Sequence, residues 1–251
     1  MLLHPTIEKL RALKLPGMAK ALEEQQSQRD IGSFTFEERL GLLLDHESTL
    51  RDSKVLAARL SRAKLKLAAT PEDVDFKAAR GLDKNVFMAL METSWVNAHR
   101  NVLITGPTGV GKTYLACAIA NQTCRRGHTA LYVRMTRLFP VLALAKVDGR
   151  YPKMLAQFAK VDVLLLDDWG LAPMTPEARH DLLEMIDDRH GRKSTIVTSQ
   201  LPTDHWHEAI GDATLADAIL DRLVHSAHIL KLSGESQRKK RNKLTSAEVS
   251  A

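Results

Sequence analysis

Apolar residues recur at helical spacing through the first 70 residues of this chain. Pro5 and Pro16 punctuate two short amphipathic segments there. The run Thr35-Phe36-Glu37-Glu38 is typical of a capping box and predicts the start of a longer helix. Ser53 predicts the cap of the next helix. Residues 1–70 are therefore predicted to form a small all-helical domain.

From Asn101 onward, short apolar runs alternate with helical patterns. The predicted strands span 101–105, 129–133, 161–167, 194–199 and 227–232. The predicted helices lie at 112–126, across 135–159, at 175–191 and across 203–225. This alternation predicts an α/β fold with a five-stranded parallel sheet and helices on both faces, joined by right-handed crossovers.

Breaks in the pattern predict the domain boundaries. Thr70-Pro71-Glu72-Asp73 indicates a boundary, so 71–100 is predicted as a linker and a helix. The α/β core is predicted over 101–232. Residues 233–251 are polar and basic, which predicts a mobile tail.

A glycine-rich segment follows the first predicted strand and precedes a predicted helix. Residues 106–113 are Gly-Pro-Thr-Gly-Val-Gly-Lys-Thr. Glycines allow the backbone to approach an anion, and the N–H groups of the loop and the helix N-terminus can point at phosphates. Lys112 is predicted to reach the β- and γ-phosphates, and Thr113 to bind Mg²⁺. The predicted nucleotide contacts are Gly106, Pro107, Thr108, Gly109, Val110, Gly111, Lys112, Thr113 and Tyr114.

A pair of acids ends the third predicted strand, after the apolar run that begins at Val161. A buried parallel strand would deliver them to its carboxyl edge, where ligands bind in such sheets. Asp167 is predicted to act as the metal-side ligand, and Asp168 to polarise the attacking water. The alternative is a strand that ends in two solvated acids.

The distribution of charge along the chain indicates a second kind of partner, in addition to a nucleotide. Lys and Arg exceed Asp and Glu by six, and the excess lies towards the two ends of the chain rather than in the predicted core. Residues 53–66 contain five cations and no acid, which indicates a nucleic-acid phosphate backbone as a partner, with a solvated helix face as the alternative. The candidate DNA contacts are Lys54, Arg59, Arg62, Lys64 and Lys66.

No apolar stretch is long enough to cross a bilayer, and a cytoplasmic protein is predicted.

Four motifs of this chain, taken in order, are G-P-T-G-V-G-K-T, L-L-L-D-D-W-G, I-V-T-S-Q-L-P and A-I-L-D-R-L. They resemble those of the IstB-like ATPases, which are helpers of bacterial insertion sequences and are similar to the DnaC helicase loader and the DnaA initiator. The resemblance covers nearly the whole chain. It implies the AAA+ fold, with ATP and Mg²⁺ as cofactors, and self-association through the ATP site. Because few residues follow the last predicted strand, no separate C-terminal lid is expected.

The resemblance also implies roles for individual residues. Gln200, with Ser199, occupies the place of a polar group that orients the attacking water. Arg222 matches an arginine that enters the site of a neighbouring subunit, and Arg238 resembles a second nucleotide-sensing arginine. Asp168 stands where the wider superfamily has Glu, which implies slow ATP hydrolysis that depends on assembly.

The leading hypothesis is an ATPase that assembles on duplex DNA with ATP and presents that DNA to a partner transposase. Its expected location is the bacterial cytoplasm, associated with the nucleoid. One alternative is a replicative helicase loader of the DnaC type. Another is an enzyme that transfers a phosphoryl group to a small molecule, since the loop and the acids would serve either reaction.

Overall fold

A computed structural model describes residues 5–28 and 31–237 of the chain. They form two compact units, which divide between Ala58 and Arg59. No described helix is long and apolar enough to cross a membrane.

The first unit is helical. It contains α1 (Pro5–Ala12), α2 (Pro16–Ser27), a 3-10 turn (Ile31–Ser33) and most of α3 (Phe36–Ala63). The predicted capping box is present: the Thr35 N–H donates to Glu38 Oε2 (2.7 Å), and the Glu38 N–H donates to Thr35 Oγ1 (3.2 Å). The prediction that Ser53 caps a separate helix is wrong. Because no Gly or Pro lies between 42 and 63, nothing interrupts α3, and Ser53 is an exposed residue within it.

The second unit opens with a 3-10 turn (Pro71–Asp73), α4 (Lys84–Met91) and α5 (Ser94–Asn97). Five strands then alternate with helices. The strands are β1 (Val102–Thr105), β2 (Ala130–Arg134), β3 (Val163–Trp169), β4 (Ser194–Ser199) and β5 (His228–Lys231). The helices are α6 (Lys112–Arg125), α7 (Met135–Val147), α8 (Tyr151–Lys160), α9 (Pro176–Arg189), α10 (Trp206–Ile210) and α11 (Ala213–Val224), with a 3-10 turn at Thr203–His205.

All strand pairs are parallel, in the order β2-β3-β4-β1-β5. The predicted α/β architecture is confirmed, and each strand lies within two residues of its predicted bounds. Val102–Thr105 and Val163–Asp167 are buried throughout, as expected of strands that are covered by helices on both faces.

The sheet aligns the carboxyl ends of its inner strands. Thr105 at the end of β1 pairs with Ser199 at the end of β4, and Ser199 pairs with Trp169 at the end of β3. The loops that follow these three strands therefore meet at one edge, which positions the candidate site.

Candidate active site

The glycine-rich loop joins β1 to α6 at this edge. Gly106 and Gly109 have φ angles of 144° and 86°, a region that L-residues with a side chain rarely adopt. An added Cβ at Gly106 would collide with the backbone of Leu232, and one at Gly109 with the side chain of Ser236. Glycine is therefore required at both positions by conformation and by close packing.

Lys112, the first residue of α6, turns its side chain back into the loop. Its Nζ donates to the carbonyl oxygens of Gly106 (2.7 Å) and Pro107 (2.8 Å). The ammonium thus lies within the curve of the loop, at the N-terminus of a 14-residue helix. This is the arrangement that binds the phosphates of a nucleotide.

Two further segments pack on the loop. From the segment before α4, Nη1 of the buried Arg80 donates to the Val110 carbonyl (3.4 Å). After β5, the Gln237 N–H donates to the Gly109 carbonyl (2.9 Å). The half-buried Tyr114 donates from its hydroxyl to the Asp73 carbonyl (3.5 Å). No local pattern predicts the contacts of Arg80 and Gln237, because they join segments that are distant along the chain.

Asp167 is fully buried at the end of β3 and accepts four hydrogen bonds. Oδ1 accepts from Thr113 Oγ1 (2.8 Å) and Thr198 Oγ1 (2.6 Å). Oδ2 accepts from the Tyr132 hydroxyl (2.7 Å) and Lys66 Nζ (3.5 Å). Thr113 and Asp167, each predicted to bind Mg²⁺, therefore lie in direct contact. Hydroxyl and carboxylate oxygens this close together fit Mg²⁺, which prefers hard oxygen ligands.

The surroundings of Asp167 favour its ionised form. Burial raises the pKa of this carboxyl, but the hydrogen bonds from Thr198, Tyr132 and Thr113 together with the charge of Lys66 outweigh burial, and the pKa lies below its ordinary value. Burial and the same carboxylate raise the pKa of the Tyr132 hydroxyl, which stays a donor. Sequence reasoning missed Thr198 and Tyr132, because no spacing rule links either residue to Asp167.

The Asp168 carboxylate has a different partner from that of Asp167. Its φ of 66° is left-handed, and the pairing of β3 with β4 is irregular between Leu166 and Trp169. Its N–H donates to Thr198 Oγ1 (3.2 Å), and its Oδ2 accepts from Arg134 Nε at the end of β2 (2.7 Å). Arg134 was not predicted as a site residue.

The structure separates the roles available to Ser199 and Gln200. Ser199 is buried, and its Oγ donates to the Trp169 carbonyl (3.0 Å) and accepts from the Leu201 N–H (3.0 Å). Gln200 is exposed at the end of β4. Of the two side chains, that of Gln200 is therefore the one open to a ligand.

Arg222, on α11, lies at the opposite edge of the sheet. Its carbonyl accepts from Asn101 Nδ2 (3.0 Å), and Asn101 directly precedes β1, whereas the phosphate-binding loop follows β1. Its guanidinium donates from Nε to Asp187 Oδ1 (2.7 Å) and from Nη1 to the Ala218 carbonyl (2.8 Å). Arg222 is thus not part of the phosphate site of its own chain.

The candidate DNA contacts have different surroundings. Lys54, Arg62 and Lys64 are exposed, Arg59 is half-buried, and Lys66 forms an ion pair with Asp167. Their role in DNA binding stays a prediction. Residues 238–251 of the predicted basic tail, Arg238 among them, lie outside the described residues.

Comparison with known proteins decides the family. A sequence profile of the IstB-like ATP binding protein family matches residues 8–245. The chain belongs to this family. It is 53% identical over 239 residues to the putative insertion sequence ATP-binding protein y4pL of Sinorhizobium fredii, covering 95% of this chain and 98% of the relative. It is 33% identical to the putative ATP-binding protein of insertion sequence IS21 from Pseudomonas aeruginosa, covering 95% and 89%.

Solved structures share the fold. DnaI superposes with a TM-score of 0.57 at 24% identity, over 66% of this chain and 91% of DnaI. The DnaC helicase loader gives 0.52 at 20%, over 69% and 98%. The replication initiator DnaA, bound to AMPPCP and single-stranded DNA, gives 0.56 at 18%, over 73% and 56%. At these identities the likeness concerns the fold alone, and it confirms the predicted AAA+ fold of this IstB-like protein.

Proposed function

We propose that this IstB-like protein is an ATP-hydrolysing helper of an insertion-sequence transposase. It assembles on duplex DNA when ATP is bound, presents the target DNA to the transposase, and hydrolyses ATP. The place of this activity is the bacterial cytoplasm, at the nucleoid. Support comes from the insertion-sequence ATP-binding proteins to which the chain is similar and from the chemistry of the site.

One observation carries the ATPase part of the proposal. Lys112 lies inside the phosphate-binding loop, and the next residue, Thr113, contacts Asp167 at 2.8 Å. Thr113 and Asp167 would hold the Mg²⁺ of Mg·ATP, which neutralises charge on the phosphates. Lys112 binds the same phosphates by charge and hydrogen bonds.

Two other side chains activate the water molecule that attacks ATP. Asp168 serves as the general base, and the exposed Gln200 orients the water. Because the Asp168 carboxylate is paired with Arg134, its access to water is restricted. We therefore expect slow turnover in an isolated subunit.

Arg222 supports self-association through ATP. In its own chain it lies at the amino end of β1, and the four residues of that strand separate it from the loop. A neighbouring subunit that offers this edge to the ATP site would bring Arg222 to the γ-phosphate, where a cation stabilises the transferring group. Hydrolysis would then require assembly.

The DNA part of the proposal is supported by the absence of acids from 53–66 and by the exposure of Lys54, Arg62 and Lys64. Cations of this kind bind phosphates without reading the base sequence. We therefore expect weak sequence preference and a binding constant that falls steeply with salt.

Lys112→Ala tests the proposal. The variant should lose ATP binding and ATP-dependent assembly on duplex DNA, measured by nucleotide titration and by a filter-binding assay over a range of salt concentrations. Lys9→Ala, an exposed lysine of α1, is the control and should behave as the parent. If Lys112→Ala fails to bind ATP yet still coats duplex DNA like the parent, the proposed coupling of ATP to DNA is wrong.

The fold shared with the DnaC helicase loader supports one alternative, a helicase loader that acts on single strands. Two results would favour it over a transposase helper: a preference for single-stranded over duplex DNA, and capture of a replicative helicase rather than a transposase by the immobilised protein.

A further inference from the structure

Lys66 is held in place by the segment around it. Helix α3 ends at Ala63, and Lys64 then adopts a left-handed conformation with φ of 51°. Ala63 and Ala69, on either side of Lys66, are fully buried. The backbone of Lys66 and Leu67 lies within hydrogen-bonding reach of the Cys117 thiol on α6. The side chain therefore starts from a fixed point beside the phosphate-binding helix.

The ammonium of Lys66 reaches the predicted metal ligand. Its Nζ lies 3.5 Å from Asp167 Oδ2, and the Lys66 side chain is 37% exposed whereas that of Asp167 is 0% exposed. A buried carboxylate requires hydrogen bonds and a compensating charge. Thr198, Tyr132 and Thr113 supply neutral donors, and Lys66 supplies the charge.

In the proposed ATP site, the other oxygen of the Asp167 carboxylate, Oδ1, is a ligand of Mg²⁺. Oδ1 faces Thr113, the second proposed metal ligand, and Oδ2 faces Lys66. Two cations that share one carboxylate repel each other, and a lysine fixed to the chain is present at the site at all times. The binding of a divalent cation at Asp167 must therefore offset the electrostatic stabilisation that Lys66 gives to this carboxylate.

We propose that Lys66 is a positioning residue of the metal site, whose tethered ammonium competes with Mg²⁺ for Asp167 and so sets the Mg²⁺ concentration at which the protein binds Mg·ATP. This inference rests on the proposed ATP site. It gives Lys66 a role different from that of Lys64, which is two residues away, exposed and outside any ion pair in the described part of the chain.

The test is a Mg²⁺ titration of the full-length protein with a fluorescent, non-hydrolysable ATP analogue, followed by anisotropy. In Lys66→Met the half-saturating Mg²⁺ concentration should fall on the order of threefold to tenfold, because a partly screened charge has been removed. Lys66→Arg keeps the cation and should match the parent within about twofold. Lys153→Met, at an exposed lysine of α8 outside the proposed ATP and DNA contacts, is the control and should also match the parent. Circular dichroism checks that each variant is folded. If Lys66→Met does not fold, Lys66→Gln takes its place.

The outcomes separate this inference from the proposed function. If the parent binds the analogue and the Lys66→Met titration is unchanged or shifted to higher Mg²⁺, the competition is refuted while the ATP site stands. If Lys66→Met weakens binding of the analogue in EDTA, Lys66 is a phosphate ligand, and the inference is again wrong. If the parent itself does not bind the analogue, the proposed function fails first.

Discussion

Two neighbouring acids at the end of β3 have different partners, although they are adjacent in sequence. Asp167 faces Thr113 and Thr198, whereas the left-handed backbone of Asp168 turns its carboxylate to Arg134. Thr198 bridges the two, because its hydroxyl donates to Asp167 and accepts from the Asp168 N–H. One threonine hydroxyl thus contacts the carboxylate of Asp167 and the backbone of Asp168.

Arg134→Gln tests what the ion pair does to Asp168. Once freed from the guanidinium, the carboxylate should be more accessible to the attacking water, and basal ATP hydrolysis should rise about threefold to tenfold. Asp168→Asn should lower hydrolysis by about 100-fold or more, and the double variant should match Asp168→Asn. Steady-state phosphate release measures all three. A loss of activity in Arg134→Gln would instead mean that Arg134 holds Asp168 in its working position.

At the level of elements, the sequence predicted what local patterns encode. The alternating apolar runs gave the five strands, and the glycine-rich loop between β1 and α6 gave Lys112 and Thr113. The surroundings of Asp167 could not be predicted, since its partners come from β2, β4 and the segment after α3. The supposed break at Ser53 failed for a related reason: a serine can cap a helix or lie within one, and its neighbours decide which.

The starts of β2, β3 and β4 are tied together by one carboxylate. Asp162, just before β3, accepts from the Thr129 N–H (2.8 Å), Thr129 Oγ1 (2.8 Å) and Lys193 Nζ (2.6 Å). Burial raises the pKa of Asp162, but Lys193 and Thr129 outweigh burial and lower it from 3.8 to about 2.

Asp162→Asn should therefore make folding stability less sensitive to acid. Because the folded pKa is depressed, the stabilisation is complete above pH about 4 and is lost as the pH falls towards 2. The variant should lose about 1–2 kcal/mol of unfolding free energy at pH 7, and the difference from the parent should shrink steadily as the pH falls to about 2. Urea unfolding at a series of pH values measures this. A difference that stays constant down to pH 2 would show that the charge of Asp162 does not contribute.

At the scale of the whole molecule, the two halves of the proposed catalytic site lie at opposite edges of one sheet. The loop with Lys112 follows β1, and Arg222 is bonded through its carbonyl to the residue before β1. A single chain therefore cannot bring the two together without disrupting the sheet. An assembly of several chains is the simplest way to complete the site.

Mixing two inactive variants tests this arrangement. Lys112→Ala retains Arg222 but lacks the ATP site, and Arg222→Ala retains the ATP site but lacks the arginine. Each alone should hydrolyse ATP at least about 100-fold more slowly than the parent, and mixing them should restore part of the activity. Arg192→Ala, an exposed arginine near the same edge, is the control and should remain active alone. No recovery on mixing would argue against a site shared between chains.

The contact between Gln237 and Gly109 has a practical consequence for work at the bench. A truncation made before residue 237 would remove the residue that rests on the phosphate-binding loop. A shortened preparation that shows weak nucleotide affinity should therefore be remade with residues 233–237 retained before the protein is judged inactive.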